Sequence, residues 1–233
     1  MSDYPIEQIR SRFPGLTRRV NGHQAIFFDG PGGSQSPESV GEAVKHYLLH
    51  QNSNVGMSFA TSIETDELIE QTMIACADFL GCTDHREIVF GQNMTSLTIQ
   101  LASALSRTWR PEDEVVVTRS DHDANVRPWV LAAQWSGAKL RWIDIDPADC
   151  THNIDSIEEN INENTVMVAI GAASNFSGTI NDVKGICSKA HSFGAEVFVD
   201  AVHYAPHALI DVQELGCDYL ACSSYKFFGT HQG

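Results

Sequence analysis

The side chains best able to do chemistry in this sequence come after predicted strands, at the point where each strand ends. Lys226 follows the apolar run 219–223 and lies among aromatic residues in "SYKFFG". Partial desolvation by such neighbours lowers the pKa of a lysine and favours the neutral amine that forms Schiff bases with carbonyl groups. Asp200 follows the apolar run "EVFV" (196–199), where a carboxylate either finds a cationic partner or caps the next helix.

Three other predicted strands are also followed by polar residues. The segment "GQNMTS" (91–96) precedes a predicted helix, so it is either an ordinary helix cap or an anion site. His122, in "RSDHDANVRPW", is either a surface loop histidine or a ring that stacks on a flat ligand. Asn175, in "ASNFSGTI", is either a turn residue or an amide that binds a ring substituent.

Several familiar motifs are missing from the sequence. It contains neither GxxxxGK[ST] nor GxGxxG, which argues against a P-loop and against a dinucleotide-binding protein. Two histidine pairs, His46 with His50 and His203 with His207, have the spacing of ligands on one helix face. Neither pair lies in an HExxH frame, and we predict no metal site.

The elements that must position these residues alternate along the chain. Apolar runs predict strands at 87–90, 114–118, 140–145, 166–172, 196–201 and 219–223, and helical patterns predict helices at 96–106, 124–135, 154–163 and 182–193. Such alternation is typical of an α/β fold with a mostly parallel sheet covered on both faces. Because ligands bind such sheets at the carboxyl ends of the strands, the polar residues above are expected at one edge. Before residue 80 we predict an extended arm and helices at 38–50 and 64–80.

Composition narrows the functional class. The formal net charge is −15, which argues against nucleic acid and anionic membranes as partners. We expect no membrane span, since no run of eighteen apolar residues occurs, and the mixed N-terminus does not resemble a secretory signal. Six scattered cysteines without a CxxC motif predict reduced thiols and a cytoplasmic location.

Together, these features predict a site for pyridoxal 5′-phosphate (PLP). This cofactor needs a lysine for its aldehyde, an acid for its pyridine nitrogen, a phosphate site and a group against its ring. The sequence supplies a candidate for each need, all expected at the same edge of one sheet.

The sequence also resembles the class V aminotransferase family of PLP-dependent enzymes, within fold type I. The resemblance is strongest to the cysteine desulfurase and selenocysteine lyase branch and covers nearly the whole chain. It is carried by six ordered motifs: "FFDGPGGSQSP" (27–37), "GQNMTSLTI" (91–99), "SDHDANVRPW" (120–129), "ASNFSGTI" (173–180), "VDAVHYAPH" (199–207) and "SSYKFFG" (223–229).

The resemblance implies a role for each residue that would contact the ring. Lys226 would bind the cofactor covalently and later move protons at the α-carbon of the substrate. Asp200 would pair with the pyridine nitrogen and His122 would stack on the ring. Asn175 and His203 would approach the ring's 3′-oxygen, although the family often has glutamine where His203 stands.

It also implies how the phosphate and the substrate are held. Met94 and Thr95, largely through backbone N–H groups, would bind phosphate together with Ser223. Gly32 and Gly33 would lie near the substrate carboxylate. Tyr225 stands where desulfurases often have a phosphate-binding histidine, and a phenol can still donate a hydrogen bond there. The segment "NSNVGMSF" (52–59) lacks the histidine that many desulfurases carry.

Length is the largest departure from the family pattern. Family members continue well beyond this lysine, with a last strand, a C-terminal domain, a carboxylate-binding arginine and, in desulfurases, a nucleophilic cysteine. We therefore expect a fragment: residues 1–80 as an N-terminal arm and helical segment, and 81–233 as an incomplete PLP-binding large domain. Such a piece would expose apolar surface and is expected to be unstable alone.

The functional prediction is a PLP-dependent enzyme that acts on an amino acid and cleaves carbon–sulfur or carbon–selenium bonds. Two alternatives use the same site: a class V aminotransferase and an enzyme like isopenicillin N epimerase. A truncated relic that binds PLP without turnover is an alternative of another class, and a sugar-nucleotide or nicotinamide-binding protein is a further one. The resemblance also implies a homodimer for the full-length protein.

Overall fold

The computed structural model describes residues 4–231, which fall into two compact units. The first unit comprises the described residues in 4–79, 83–89 and 224–231, and the second comprises 80–82 and 90–223. Within the described residues, no helix is both long and apolar enough to cross a membrane.

The first unit is built of helices, tight turns and one hairpin. Asn21 and Gly22 connect the two hairpin strands with φ values of 52° and 82°, the left-handed backbone that favours Asn-Gly in two-residue turns. Its elements are α1 (Ile6–Arg10), β1 (Arg19–Val20), β2 (His23–Gln24), α2 (Glu38–His50), α3 (Ala60–Leu80) and 3₁₀ turns at Pro14–Thr17, Gly30–Gly32, His85–Glu87 and Ser224–Lys226.

The second unit is an α/β domain whose five strands are all parallel, in the order β4-β3-β5-β6-β7. Every connection between neighbouring strands is therefore a crossover, as the alternation of strands and helices predicts. Its elements are α4 (Met94–Leu105), β3 (Glu114–Thr118), α5 (Arg127–Ser136), β4 (Lys139–Ile143), α6 (Ile154–Asn160), β5 (Thr165–Gly171), α7 (Val183–Ser192), β6 (Glu196–Asp200), α8 (Val212–Leu215) and β7 (Tyr219–Ala221).

Helices cover both faces of this sheet, and each face has its own hydrophobic core. Val115 and Val117 of β3 pack with α4 and α5, whereas Val116 packs on the opposite face with α6 and α7. The alternation arises because successive side chains of a strand point to opposite faces. All five residues of β3 are buried, as a strand that is covered on both faces requires.

Five of the six predicted strands are confirmed, and the strand at 87–90 is wrong. Glu87 ends a 3₁₀ turn, and Ile88 is extended, with φ −80° and ψ 124°. Among the described residues, 88–90 pair with no strand. An apolar extended run becomes a strand only when a neighbour accepts and donates its ladder hydrogen bonds.

The predicted helices all form; those at 38–50 and 154–163 start where predicted, and the other four have shifted starts. Helix α4 begins at Met94 and not at 96, because the Asn93 side chain accepts the hydrogen bond of the Ser96 N–H at 2.9 Å. Helix α5 begins at Arg127 and not at 124, because a 3₁₀ turn precedes it. Gly194 follows α7 with φ 81°, in agreement with the predicted cap.

Candidate functional site

The parallel sheet collects the predicted binding residues of the second unit at one edge. Strands β3, β5, β6 and β7 are consecutive neighbours in the same direction, so their carboxyl ends lie side by side. Asp200 is the last residue of β6, and the loops after these strands carry His122, Asn175, His203 and Ser223. The structure therefore brings the loops that carry these five residues to one side of the sheet, where α/β domains bind ligands.

The start of α4 meets the end of β7 through a hydrogen bond. The backbone N–H of Met94 donates to the Ser223 hydroxyl at 3.1 Å, and both residues are buried. Thr95, the second residue of α4, is exposed. The Met94 and Ser96 N–H groups are thus bonded within the protein, to Ser223 and Asn93. The positive end of the helix dipole and the Ser223 hydroxyl are what this corner offers to a phosphate.

Asp200 is the last residue of β6 and lies next to Gly171 of β5 and Ala221 of β7 in the sheet register. Its side chain is 9% exposed, and one carboxylate oxygen accepts the Val202 N–H at 2.9 Å. A carboxylate in this position can stabilise a cationic group that binds at the sheet edge.

A second acid, Asp121, lies at the same edge and was not among the predicted site residues. One of its oxygens accepts the Gly171 N–H at 2.9 Å and the other accepts the Asn125 side-chain N–H at 2.9 Å. Desolvation, reinforced by the negative charge of Asp200, raises the pKa of Asp121 to about 7 against the opposing hydrogen bonds. The sequence carries no local signal of this site, because Gly171 and Asp200 lie far along the chain from Asp121.

The remaining predicted ligands of this unit lie in exposed or half-buried loops. The exposed His122 caps the 3₁₀ turn Asp123–Asn125, with its Nδ1 accepting the Ala124 N–H at 3.1 Å. Asn175 is exposed in the turn after β5, and His203 is half-buried in the turn after β6. An exposed imidazole or amide at a strand tip is available to a bound ligand.

The lysine loop belongs to the first unit. Lys226 ends the 3₁₀ turn Ser224–Lys226, where its Nζ donates to the Pro31 carbonyl and lies 4.8 Å from the centre of the Tyr225 ring. The Tyr225 carbonyl accepts two hydrogen bonds from Ser34, one from its backbone N–H at 2.9 Å and one from the Ser34 hydroxyl at 3.1 Å. The loop is thus held by the segment that contains the predicted substrate-binding glycines.

Glycine is required at one of these two positions. Gly33 has a φ of 141°, a conformation that side-chain-bearing residues rarely adopt, and a Cβ there would lie 3.5 Å from the Tyr225 ring. Gly32 ends the 3₁₀ turn Gly30–Gly32 with open space at its Cβ position. The binding roles of the two glycines, like those of the other predicted residues, stay predictions.

Neither histidine pair builds a metal site in the part of the chain that the structure describes. The rings of His46 and His50 lie 5.0 Å apart on α2, and those of His203 and His207 lie 5.3 Å apart in turns. Residues 4–231 contain no group of three or more histidine, cysteine, aspartate or glutamate residues that could hold a metal ion.

The fold and the polar sheet edge define an α/β ligand-binding domain, and its sequence identifies the family. Residues 26–231 match the sequence profile of the family described as aminotransferase class-V. The chain belongs to the class V aminotransferase family, whose members are PLP-dependent enzymes. The predicted family is confirmed.

Relatives with a curated description are identical to this chain at about a third of the aligned positions. It is 37% identical over 95% of its length to a probable cysteine desulfurase of Halalkalibacterium halodurans, of which it covers 55%. It is 35% identical over 99% of its length to the aminotransferase-like protein FGM3 of Gibberella zeae, of which it covers 57%. The chain thus spans about half the length of these relatives.

Solved structures confirm the predicted fold type. The structure of a cysteine desulfurase from Thermococcus onnurineus, in its apo form, matches 97% of this chain with a TM-score of 0.87 and 30% sequence identity. This chain covers 55% of that one. The second unit is therefore a parallel-sheet domain of PLP fold type I.

The residues at the sheet edge fit PLP chemically. The cofactor has a ring nitrogen that is positively charged when protonated, and two carboxyl groups, Asp121 and Asp200, lie within electrostatic reach of each other there. Two neighbouring carboxylates repel each other, so a cation between or beside them relieves the repulsion. The positive end of the α4 dipole lies beside the Ser223 hydroxyl, which can donate a hydrogen bond to a phosphate.

Proposed function

We propose that this chain supplies the cofactor-binding part of a PLP-dependent enzyme that acts on an amino acid and cleaves a carbon–sulfur or carbon–selenium bond. The observation that carries the proposal is the edge of the parallel sheet, where Asp121 follows β3, Asp200 ends β6, and the start of α4 is hydrogen-bonded to Ser223 after β7. Similarity to proteins described as cysteine desulfurases supports the choice of reaction.

Each residue has a task that follows from its chemistry. When bound, PLP supplies an electron-withdrawing ring that lowers the barrier to breaking bonds at the α-carbon of the substrate. The Lys226 amine holds the cofactor aldehyde and afterwards accepts and returns the proton at that carbon. Asp200 keeps the ring nitrogen protonated, and His122 packs against the ring. Met94, Thr95 and Ser223 hold the phosphate.

Four further residues, two for the ring and two for the substrate, complete the proposed site. Asn175 and His203 orient the ring from its 3′-oxygen side, since an amide and an imidazole can both donate a hydrogen bond to that oxygen. Gly32 and Gly33 leave backbone free for the substrate carboxylate. Ser34, which follows Gly33, is hydrogen-bonded to Tyr225, the residue before Lys226, and this supports a place for the two glycines near the lysine.

A class V aminotransferase is the second candidate. The relative from Gibberella zeae, described as aminotransferase-like, is 35% identical over nearly the whole chain. Tyr225 also stands where desulfurases often have histidine. Transamination would use the same lysine and acid, so the two candidates differ in the fate of the substrate and not in the cofactor.

We further propose that the enzyme works as a homodimer. The first unit supports this, because many of its apolar side chains are exposed: Phe28 is 92% and Leu49 is 67% exposed. A second copy that covered such side chains would remove apolar surface from water. Light scattering on the purified protein tests the dimer, and a monomer at micromolar concentration would contradict it.

A cytoplasmic location is also part of the proposal. It is supported by six cysteines that are scattered along the sequence without a CxxC motif, a pattern typical of proteins in reducing compartments. Fractionation of the source cells, followed by immunodetection in the soluble and membrane fractions, tests the location.

The cofactor proposal is tested by trapping PLP on the protein. The chain is incubated with PLP, reduced with borohydride, digested and analysed by mass spectrometry. We expect the pyridoxyl group on Lys226, with no label there in Lys226→Arg. Lys184→Arg is the matched control, because Lys184 is exposed, and it should label like the wild type. Labelling spread evenly over the lysines would contradict the proposal.

The reaction is tested with a panel of amino acids. A desulfurase releases sulfide or selenide from cysteine or selenocysteine and leaves alanine, whereas an aminotransferase passes the amino group to an added 2-oxo acid. We expect release of sulfide or selenide in the presence of a reductant. Amino transfer without that release would select the second candidate.

A further inference from the structure

Asp121 extends beyond the tip of β3 to the tip of the neighbouring strand β5. Its Oδ1 accepts the N–H of Gly171, the last residue of β5. Gly171 is in turn the register partner of Asp200, the last residue of β6. One backbone position thus links Asp121 to the acid that is proposed to hold the ring nitrogen.

This approach depends on glycine at position 171. A Cβ on Gly171 would lie 2.6 Å from Asp121 Oδ1, closer than real Cβ contacts. The other carboxylate oxygen accepts from Asn125, whose own side-chain oxygen accepts the indole N–H of Trp129 at 3.2 Å. Trp129 and Asn125 are fully buried, so they fix Asp121 from the core side.

Within residues 4–231, none of the groups that act on Asp121 is a cation. Its hydrogen-bond donors are uncharged: the Gly171 N–H, the Asn125 amide and the Thr118 hydroxyl. The charged group that faces it is Asp200, and its negative charge adds to desolvation in raising the pKa of Asp121 to about 7. Near neutral pH, Asp121 is therefore present in both its protonated and its ionised form.

We propose that Asp121 is a second acidic group of the ring-nitrogen site: it holds a proton in the ligand-free protein and gives it up when a protonated nitrogen heterocycle binds beside Asp200. This inference rests on the proposed function, because PLP supplies the heterocycle. The proton goes from the Asp121 carboxyl group to solvent, and no other covalent bond changes. Asp121 is a positioning residue, since its charge adds to that of Asp200 and it is not proposed to contact the ring.

The test compares PLP with an analogue in which a carbon atom replaces the ring nitrogen. Both molecules carry the phosphate and the aldehyde, so the ratio of their affinities reports the contribution of the nitrogen. The ratio is measured by absorbance titration from about pH 6 to about pH 8, on either side of the Asp121 pKa of about 7. The proteins are the wild type, Asp121→Asn, Asp200→Asn and the control Asp123→Asn, which changes an exposed acid in the same loop.

Dividing the ratio of the wild type by that of Asp121→Asn removes the titration of the ring itself. We expect this quotient to rise about tenfold with pH, because Asp121 gains its negative charge over this range and attracts the ring cation. Asp200→Asn should lose the preference for PLP at every pH, and Asp123→Asn should behave like the wild type. A quotient that stays constant with pH overturns the inference and leaves the proposed function standing. If the wild type binds neither molecule, both fail.

A second measurement needs no variant and covers the case in which Asp121→Asn does not fold. Infrared difference spectra of the wild type report the carbonyl band of a protonated carboxyl group. We expect this band in the ligand-free protein at about pH 6, its loss on raising the pH through about 7, and its loss at about pH 6 on adding PLP but not the carbon analogue. A band that PLP and the analogue affect equally would overturn the inference.

Discussion

The two units of this chain solve different physical problems. The second unit buries apolar side chains on both faces of a five-stranded sheet and keeps polar groups at the strand ends. In the described part of the first unit, only Ser62, Thr65 and Ala77 are buried. The first unit instead holds the Lys226 loop through hydrogen bonds from residues about 190 positions earlier in the chain.

This difference in burial predicts a rigid second unit and a more easily opened loop in the first unit. A residue in a sheet core is fixed by many apolar contacts, and its position is costly to change. A loop held by a few backbone hydrogen bonds opens at a much lower free energy. We infer that the strand tips of the second unit are rigid and that the lysine loop of the first unit is adjustable. Three substitutions test this contrast, in order of decreasing expected effect.

The largest effect is expected from Trp129→Ala in the second unit. Trp129 is fully buried, packs against Phe198 with ring centres 5.2 Å apart, and donates to Asn125. Its removal should cost about 3–5 kcal/mol of the free energy of unfolding, because a large cavity and an unpaired amide oxygen remain. Urea unfolding followed by circular dichroism measures the loss.

Trp135→Ala is the matched control, because Trp135 lies on the same helix α5 and is 60% exposed. Its substitution should change the free energy of unfolding by about 1 kcal/mol or less. Equal losses in the two variants would show that the core of the second unit does not dominate stability, and the contrast between the units would fail.

The fold of the second unit could be predicted well from the sequence, for a physical reason. Strands that are buried on both faces need unbroken apolar runs such as 166–170, which also mark the ends of the strands. The run "EIVF" is also apolar but forms no strand, because a strand needs a neighbouring strand to pair with, and that neighbour lies elsewhere in the sequence. The contacts between the segments around Ser34 and Tyr225 have no local signal at all.

A smaller effect is expected from Glu114→Gln, at the other end of β3 from the candidate site. Glu114 is 2% exposed and accepts hydrogen bonds from Arg141 at 2.8 and 2.9 Å and from Asn162 at 2.9 Å. The glutamine side chain would carry no charge, and its NH₂ group would face the N–H groups of Arg141 or Asn162. We expect a cost of about 1–3 kcal/mol at neutral pH, measured by urea unfolding.

The pH dependence of this effect has a definite sign. Hydrogen bonding to Arg141, against some desolvation, lowers the pKa of Glu114 below its ordinary value of 4.5. The ion pair therefore contributes its full stability above pH 4.5, and this contribution is lost as the pH falls through the lowered pKa. The gap between wild type and Glu114→Gln should shrink in acid. Glu112→Gln, at an exposed position, should show no such gap.

The residue types of the candidate site could be predicted from the sequence, but the electrostatic coupling between its acidic groups could not. Asp200 could be expected from its place at the end of an apolar run. Asp121 lies three residues beyond β3, and its importance depends on Gly171 and Asp200, which are 50 and 79 positions away in the numbering. Electrostatic coupling between strand tips arises only once the sheet has formed, so the sequence could not reveal it.

The smallest effect is expected from Ser34→Ala in the first unit. The Ser34 hydroxyl donates to the Tyr225 carbonyl at 3.1 Å and accepts the Phe228 N–H at 2.7 Å. Losing these bonds should lower the opening free energy of the lysine loop by about 1 kcal/mol, because each hydrogen bond makes a modest net contribution. Hydrogen exchange followed by mass spectrometry should show faster exchange in 224–231 and unchanged exchange in β3 and β5. Ser53→Ala, which removes a hydroxyl bonded only to the adjacent Asn54 carbonyl, should leave the loop unchanged. If the strands exchange more slowly than the loop in both variants but exchange at 228 is unchanged, the loop is held by its backbone hydrogen bonds alone. The adjustable region would then be smaller than we infer.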